Sequence, residues 1–161
     1  LAVKYPEYVK RLVIIDIAPV YYIHSHLDKI DALMGVNLDN LRRRSEVEKK
    51  ISGHISDPGE RAFFMLNLRR CNDTFSWKIN LNAIRNYMTE ITGFPSGQYK
   101  CLNPTLFVSG SKSEYIRDLH LEKIESIFPN YNLEVIENCG HWVHAEKPNE
   151  LLFLVNSFLV N

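Results

Sequence analysis

The sequence predicts an α/β protein built on a parallel sheet. Three observations carry that prediction: short β-rich runs at residues 11–16, 104–109 and 132–136, helical periodicity following the later two, and a long middle stretch that reads as helical throughout. The implied order is strand, helical insertion, strand, helix, strand, helix.

Residues 1–8 read as the last turns of a helix that closes before Pro6, because the residue ahead of a proline is pushed out of the helical region. Arg11-Leu-Val-Ile-Ile-Asp16 is a nearly continuous β-branched run ended by an acid, the pattern of a strand buried on both faces. Pro19 then ends the ladder, since it has no N–H to donate. From Tyr21 to about Gly93 no comparable strand is expected. Leu27, Ile30, Leu33 and Met34 have helical spacing, and a charged segment runs from Asn37 to Lys50. Asp57-Pro58-Gly59-Glu60 reads as a helix start, with Asp57 as N-cap, Pro58 at N1 and Glu60 at N3. That helix is expected to carry Ala62, Phe63, Met65, Leu66 and Leu68 and to give out near Cys71. Another helix is expected from Asn80 to Thr89.

Strand character returns at Pro104-Thr-Leu-Phe-Val-Ser109 and at Asn132-Leu-Glu-Val-Ile136. Between them, Leu121, Ile124 and Ile127 mark a helix. Pro148 opens the final helix, whose apolar face is Leu151, Leu152, Val155, Phe158 and Leu159.

At 161 residues, 45% hydrophobic and 24% charged, the chain has the make-up of one globular domain or part of one. Nineteen basic side chains balance nineteen acidic ones, so no global field favours nucleic acid or an anionic membrane. Arg42-Arg-Arg44 with Lys49-Lys50 is interrupted by Glu46 and Glu48, as on a solvated helix face. Cys71, Cys101 and Cys139 are odd in number and far apart, which fits a reducing compartment rather than a disulfide framework. No apolar run approaches the roughly 20 residues that span a bilayer. The start, Leu1-Ala2-Val3-Lys4-Tyr5-Pro6, has no initiator Met or signal pattern and reads as the middle of a longer protein.

The sharpest motif lies between the last strand and the last helix: Asn138-Cys-Gly140-His141-Trp-Val-His144-Ala-Glu146-Lys-Pro148. Loops beyond the C-terminal ends of parallel strands are where α/β sheets place active sites. Gly140 is expected to give a sharp turn and to admit close approach of another segment, so that His141 projects over the sheet. An isolated Gly-His pair also reads as an ordinary turn with a hydrogen-bonded histidine.

The surrounding residues favour the first reading. Gly140-His141, Glu146-Lys147-Pro148 and Phe158-Leu159 resemble in order and spacing the C-terminal end of the α/β-hydrolase family. Tyr5-Pro6-Glu7-Tyr8-Val9 through Asp16-Ile-Ala-Pro19-Val20 is similar to that family's helix after the nucleophile and the strand that follows. The resemblance covers essentially all 161 residues and extends, through Asp16-Ile-Ala-Pro-Val, Phe94-Pro95 and His141-Trp-Val-His-Ala-Glu, to its YbfF-type esterases.

It implies the C-terminal part of an α/β-hydrolase fold: core at residues 1–20, a helical cap at 21–93 that shapes an acyl pocket, and core again at 94–161. It implies a serine esterase or lipase acting on an acyl ester or lipid, without cofactor or metal, in an intracellular compartment, mitochondrial or cytoplasmic. In such enzymes a serine on a Gly-x-Ser-x-Gly turn attacks the acyl carbon while a histidine takes and returns its proton, with a carboxylate orienting the ring. His141 is the expected base.

No pair of glycines here brackets a serine in that spacing, so the nucleophile is expected before Leu1 and these residues alone are expected to be inactive. The family's usual acid position follows the 104–109 strand, where this sequence has Ser109-Gly-Ser111-Lys-Ser113-Glu114. That departure makes Asp16 the better acid, which is also where the YbfF-type resemblance puts it. Glu114 and Asp118 are runners-up, and Asp16 also reads as a turn residue ahead of Pro19.

Other readings compete. A truncated or pseudoenzyme form of the fold would serve as a binding module, and an aspartate nucleophile upstream would make a haloalkane or epoxide hydrolase. His24-x-His26, His54 and His141-x-x-His144 invite a metal, but no HExxH or cysteine pair supplies ligand spacing. Asn72-Asp-Thr74 matches a glycosylation pattern without other sign of a secretory route.

Overall fold

In chain order the elements are a short 3-10 turn (Pro6–Tyr8), β1 (Leu12–Ile15), α1 (Leu27–Met34), α2 (Arg44–Ile51), α3 (Pro58–Met65), β2 (Leu68–Cys71) and β3 (Thr74–Trp77). They continue with α4 (Leu81–Asn86), α5 (Met88–Ile91), β4 (Thr105–Gly110), α6 (Asp118–Ile127), β5 (Tyr131–Ile136), α7 (Val143–Glu146) and α8 (Pro148–Val160). These come from a computed structural model that describes residues 1–23 and 26–160. The chain divides into two compact units, Leu1–Val20 with Pro95–Asn161 and Tyr21–Phe94.

The first unit holds a three-stranded sheet in the order β1-β4-β5, parallel throughout. The α/β class with flanking helices is as the sequence predicts. β4 is hydrogen-bonded on both sides, from Leu12↔Thr105 to Ile15↔Val108 and from Thr105↔Tyr131 to Gly110↔Ile136, and all six of its residues are buried. On one face Phe107 meets Phe128 and Tyr131 edge-on, at ring-centroid separations of 5.5 and 5.9 Å. A second cluster gathers Leu106, Val108, Ile136, Cys139, Val143 and Leu151, with Leu154, Val155 and Phe158 of α8 packed on it.

Two expectations in this unit need correction. β1 is not buried on both faces: it is half-buried, with Ile15 exposed, because among the described residues it pairs only with β4. The opening segment is not the end of an α-helix running up to Pro6; Pro6 itself starts the 3-10 turn.

The second unit is mostly helical around a core of Ile30, Leu33, Val47, Ile51, Ile55, Met65, Leu68, Phe75, Leu81 and Met88. α3 starts as its sequence dictates, with Pro58 in the first turn and the Asp57 carboxylate accepting from the Glu60 N–H at 2.7 Å. The same helix is not the carrier of Leu68. It stops at Met65, and Leu68–Cys71 instead pairs antiparallel with Thr74–Trp77. Asn72, at φ 51°, turns the chain between the two strands, a conformation that asparagine tolerates better than most residues. Arg44 ties α2 to this region by donating to the carbonyls of Leu68, at 3.0 Å, and Met65. Arg85 and Asp31 join α4 to α1 at 2.6 Å.

Candidate active site

Three parallel strands end side by side in the first unit, and each delivers polar groups from its C-terminal end. β1 is followed by Asp16, β4 carries Ser109 near its end and runs into the turn with Ser111 and Ser113, and β5 is followed by the loop with His141. In a parallel sheet the register aligns these ends, so residues far apart in sequence converge.

Asp16 is fully buried and stands at φ 50°, in the left-handed region, its N–H donating to the Val108 carbonyl at 2.7 Å. Aspartate is among the few non-glycine residues that occupy that region readily. A buried carboxylate must replace its water shell with donors. Oδ1 accepts from the Ser109 hydroxyl and the Gly110 N–H, both at 3.1 Å. Oδ2 accepts from the Ser113 hydroxyl at 2.5 Å and from His141 Nδ1 at 2.7 Å.

Donation to a carboxylate places the proton of a neutral imidazole on Nδ1, which leaves the Nε2 lone pair as the basic site. The His141 side chain is 44% exposed against 1% for Asp16, so a partly exposed ring is anchored through Nδ1 to a buried carboxylate. The ring also lies against Tyr115, with centroids 3.9 Å apart and planes inclined by 20°.

The loop is held from several sides. The Asn138 N–H donates to Ser111 Oγ at 2.9 Å, and the Lys112 N–H to the Cys139 carbonyl at 2.8 Å. The Gly140 N–H donates to Glu146 Oε2 at 3.0 Å, closing the segment that carries His141. At Gly140 an added Cβ would lie 3.0 Å from Glu146 Oε1, and the left-handed residue of the loop is Asn138, at φ 55°. Close backbone approach falls on Gly110, where an added Cβ would lie 2.3 Å from the Gly140 carbonyl oxygen and 2.5 Å from that of Cys139. Burial, and secondarily the charge of Glu146, push the Cys139 thiol above its ordinary range.

Of the sequence candidates, His141 and Asp16 are brought together. Glu114 turns away to Arg117, at 3.0 Å, and Asp118 opens α6 as an exposed residue. Sequence reasoning treated the serines after β4 as a missing acid and did not see that Ser109 and Ser113 bind the acid supplied by β1. A hydroxyl-rich turn facing a strand that ends in aspartate was the available signal. Tyr115 left none. Of the histidines that invited a metal, His24 lies outside the described residues, and among the described residues no cluster of three or more His, Cys, Asp or Glu side chains is arranged to hold one.

A parallel sheet with flanking helices, an aspartate after one strand and a histidine after the last describe a hydrolase architecture, and the profile of the alpha/beta hydrolase fold matches residues 1–148. The chain belongs to the alpha/beta hydrolase fold family. It is similar to the sn-1-specific diacylglycerol lipase ABHD11 of Mus musculus, 33% identical over 99% of this chain and 54% of that protein. It is also similar to the Escherichia coli esterase YbfF, 27% identical over 94% of this chain and 58% of that one. Among solved structures, a marine microorganism esterase superposes with a TM-score of 0.93 at 31% identity, over 98% of this chain and 63% of its own. The chain thus spans about half the length of the curated relatives it matches.

Proposed function

We propose that the complete protein is a serine hydrolase of carboxylic esters or acylglycerols in which His141 is the general base and acid and Asp16 its orienting carboxylate. The observation that carries this reading is the 2.7 Å contact between His141 Nδ1 and the buried Asp16 Oδ2, in a histidine side chain that is 44% exposed. The esterases and the lipase among its relatives support the reaction class.

The reaction needs a serine, which these 161 residues do not supply in a Gly-x-Ser-x-Gly turn; this reading places it before Leu1. His141 Nε2 takes the serine proton as Oγ bonds to the acyl carbon, then gives it to the departing alkoxide. In the second half it takes a proton from water and returns it to the serine as the acid is released. Asp16 stabilises the imidazolium formed in between. No step calls for a metal or cofactor.

On this reading residues 21–93 are the cap that selects the acyl group, by their place in the sequence between β1 and β4. The free state of Cys71, Cys101 and Cys139 supports an intracellular setting, mitochondrial or cytoplasmic. Among the described residues no helix is long and apolar enough to cross a membrane.

The test is reaction of the complete protein with a fluorophosphonate probe and a short-chain ester. His141→Ala and Asp16→Asn are each expected to lower turnover by roughly 10²–10⁴-fold. Full labelling and hydrolysis by His141→Ala would overturn the reading, and an unlabelled wild type would favour a binding role for the fold.

A further inference from the structure

We infer that Tyr115 is a positioning residue for His141: its ring is the wall that fixes the plane of the imidazole while Asp16 fixes its edge. This rests on the assignment of His141 as the base.

A single hydrogen bond at Nδ1 leaves a histidine free to swing about the axis of that bond, and a side chain 44% exposed has little packing to prevent it. The nearly parallel stack of Tyr115, 3.9 Å between centroids and 20° between planes, removes that freedom from one face. Such contacts between ring faces favour one orientation beyond the area they bury, and they favour a cationic ring further. The imidazolium that forms during each half-reaction is therefore held in the same plane as the neutral base. Proton transfer tolerates little misplacement, so restricting the ring acts on turnover rather than on substrate binding.

Tyr115 is itself tied to the carboxylate it complements. Its N–H donates to Ser113 Oγ at 3.2 Å, and that hydroxyl donates to the Asp16 oxygen that also receives His141. On the other side, Nδ1 of buried His120 lies 3.1 Å from the Tyr115 carbonyl. One turn between β4 and α6 thus presents a hydroxyl to the acid and a ring face to the base, two residues apart. The ring is half-buried, so its replacement leaves the core intact.

The experiment compares Tyr115→Phe and Tyr115→Leu in the complete protein, reading kcat and KM on a short-chain ester and the proton NMR signal of the His141 Nδ1–H. Tyr115→Leu is expected to lower kcat about 3- to 10-fold with KM little changed, and to broaden the Nδ1–H signal as the ring gains motion. Tyr115→Phe, which keeps the ring face, is expected to retain both. Unchanged kcat and signal in Tyr115→Leu would overturn the inference, as would Tyr115→Phe failing as badly as Tyr115→Leu, which would move the role to the hydroxyl. Because the NMR signal is read without turnover, a broadened signal in Tyr115→Leu establishes that the Tyr115 ring restrains His141, while full hydrolysis by His141→Ala overturns the base assignment, so the two failures are told apart.

Discussion

Asp16 occupies a left-handed backbone conformation with all four of its carboxylate contacts drawn from segments more than 90 residues away. Its placement depends also on a neighbour without a side chain, Gly110, whose N–H donates to Oδ1. A methyl group there would meet two backbone carbonyls, and neither is the yielding end of a side chain. Gly110→Ala is expected to cost about 1–3 kcal/mol of stability through overpacking and to displace the segment leading to His141, so that ester hydrolysis falls as well. Denaturant unfolding checks the first part; an unchanged midpoint would mean that the Cys139–Gly140 backbone yields without cost. Asp16 and His141 were legible through the family resemblance of the residues around them and the serines standing at the usual acid position, because a Gly-His pair or an acid ahead of Pro19 reads by itself as a turn. The contributions of Ser113 and Tyr115 were not, because they arise only when β1, β4 and β5 lie side by side.

Elements with a strong local signature fold where the sequence puts them. The Asp57-Pro58 start of α3, the apolar run of β4 and the Pro148 start of α8 are examples. The β2–β3 hairpin escaped because Leu68 and Met65 also fit a helical period, and the alternation flanking Asn72-Asp73 is only four residues long on each side. α2 is secured by a contact that depends on pH. Glu46 Oε2 accepts the backbone N–H groups of Arg42, at 2.8 Å, and Arg43, at 2.9 Å, and these hold its carboxyl below the ordinary glutamate range. A depressed folded pKa stabilises above the unfolded value, roughly 4.3, and that contribution is lost as the pH falls through the folded value. The Arg42 and Arg43 amides ahead of α2 are therefore expected to lose exchange protection below about pH 4, and Glu46→Ala to show the same loss at pH 6. Equal protection in the variant and the wild type at pH 6 would refute it.

At the scale of the molecule, each unit has its own hydrophobic core. Leu33, fully buried in the second unit, is the test position: Leu33→Ala is expected to cost about 2–5 kcal/mol, seen as faster hydrogen exchange across residues 21–94. If exchange there stayed at the wild-type rate, the Leu33 side chain would not be an element of that core. The first unit is assembled from two stretches of chain that the second interrupts, and the parallel ladder between β1 and β4 rejoins them. That interruption has a kinetic consequence. The Asp16–His141 pair spans 125 residues, so its closure costs more chain entropy than that of any contact local in sequence. The β2–β3 hairpin and the helices around it need only neighbours close in sequence. Contact order alone therefore sets closure of the Asp16–His141 pair after that of the hairpin, an order that φ-value analysis of the two would check.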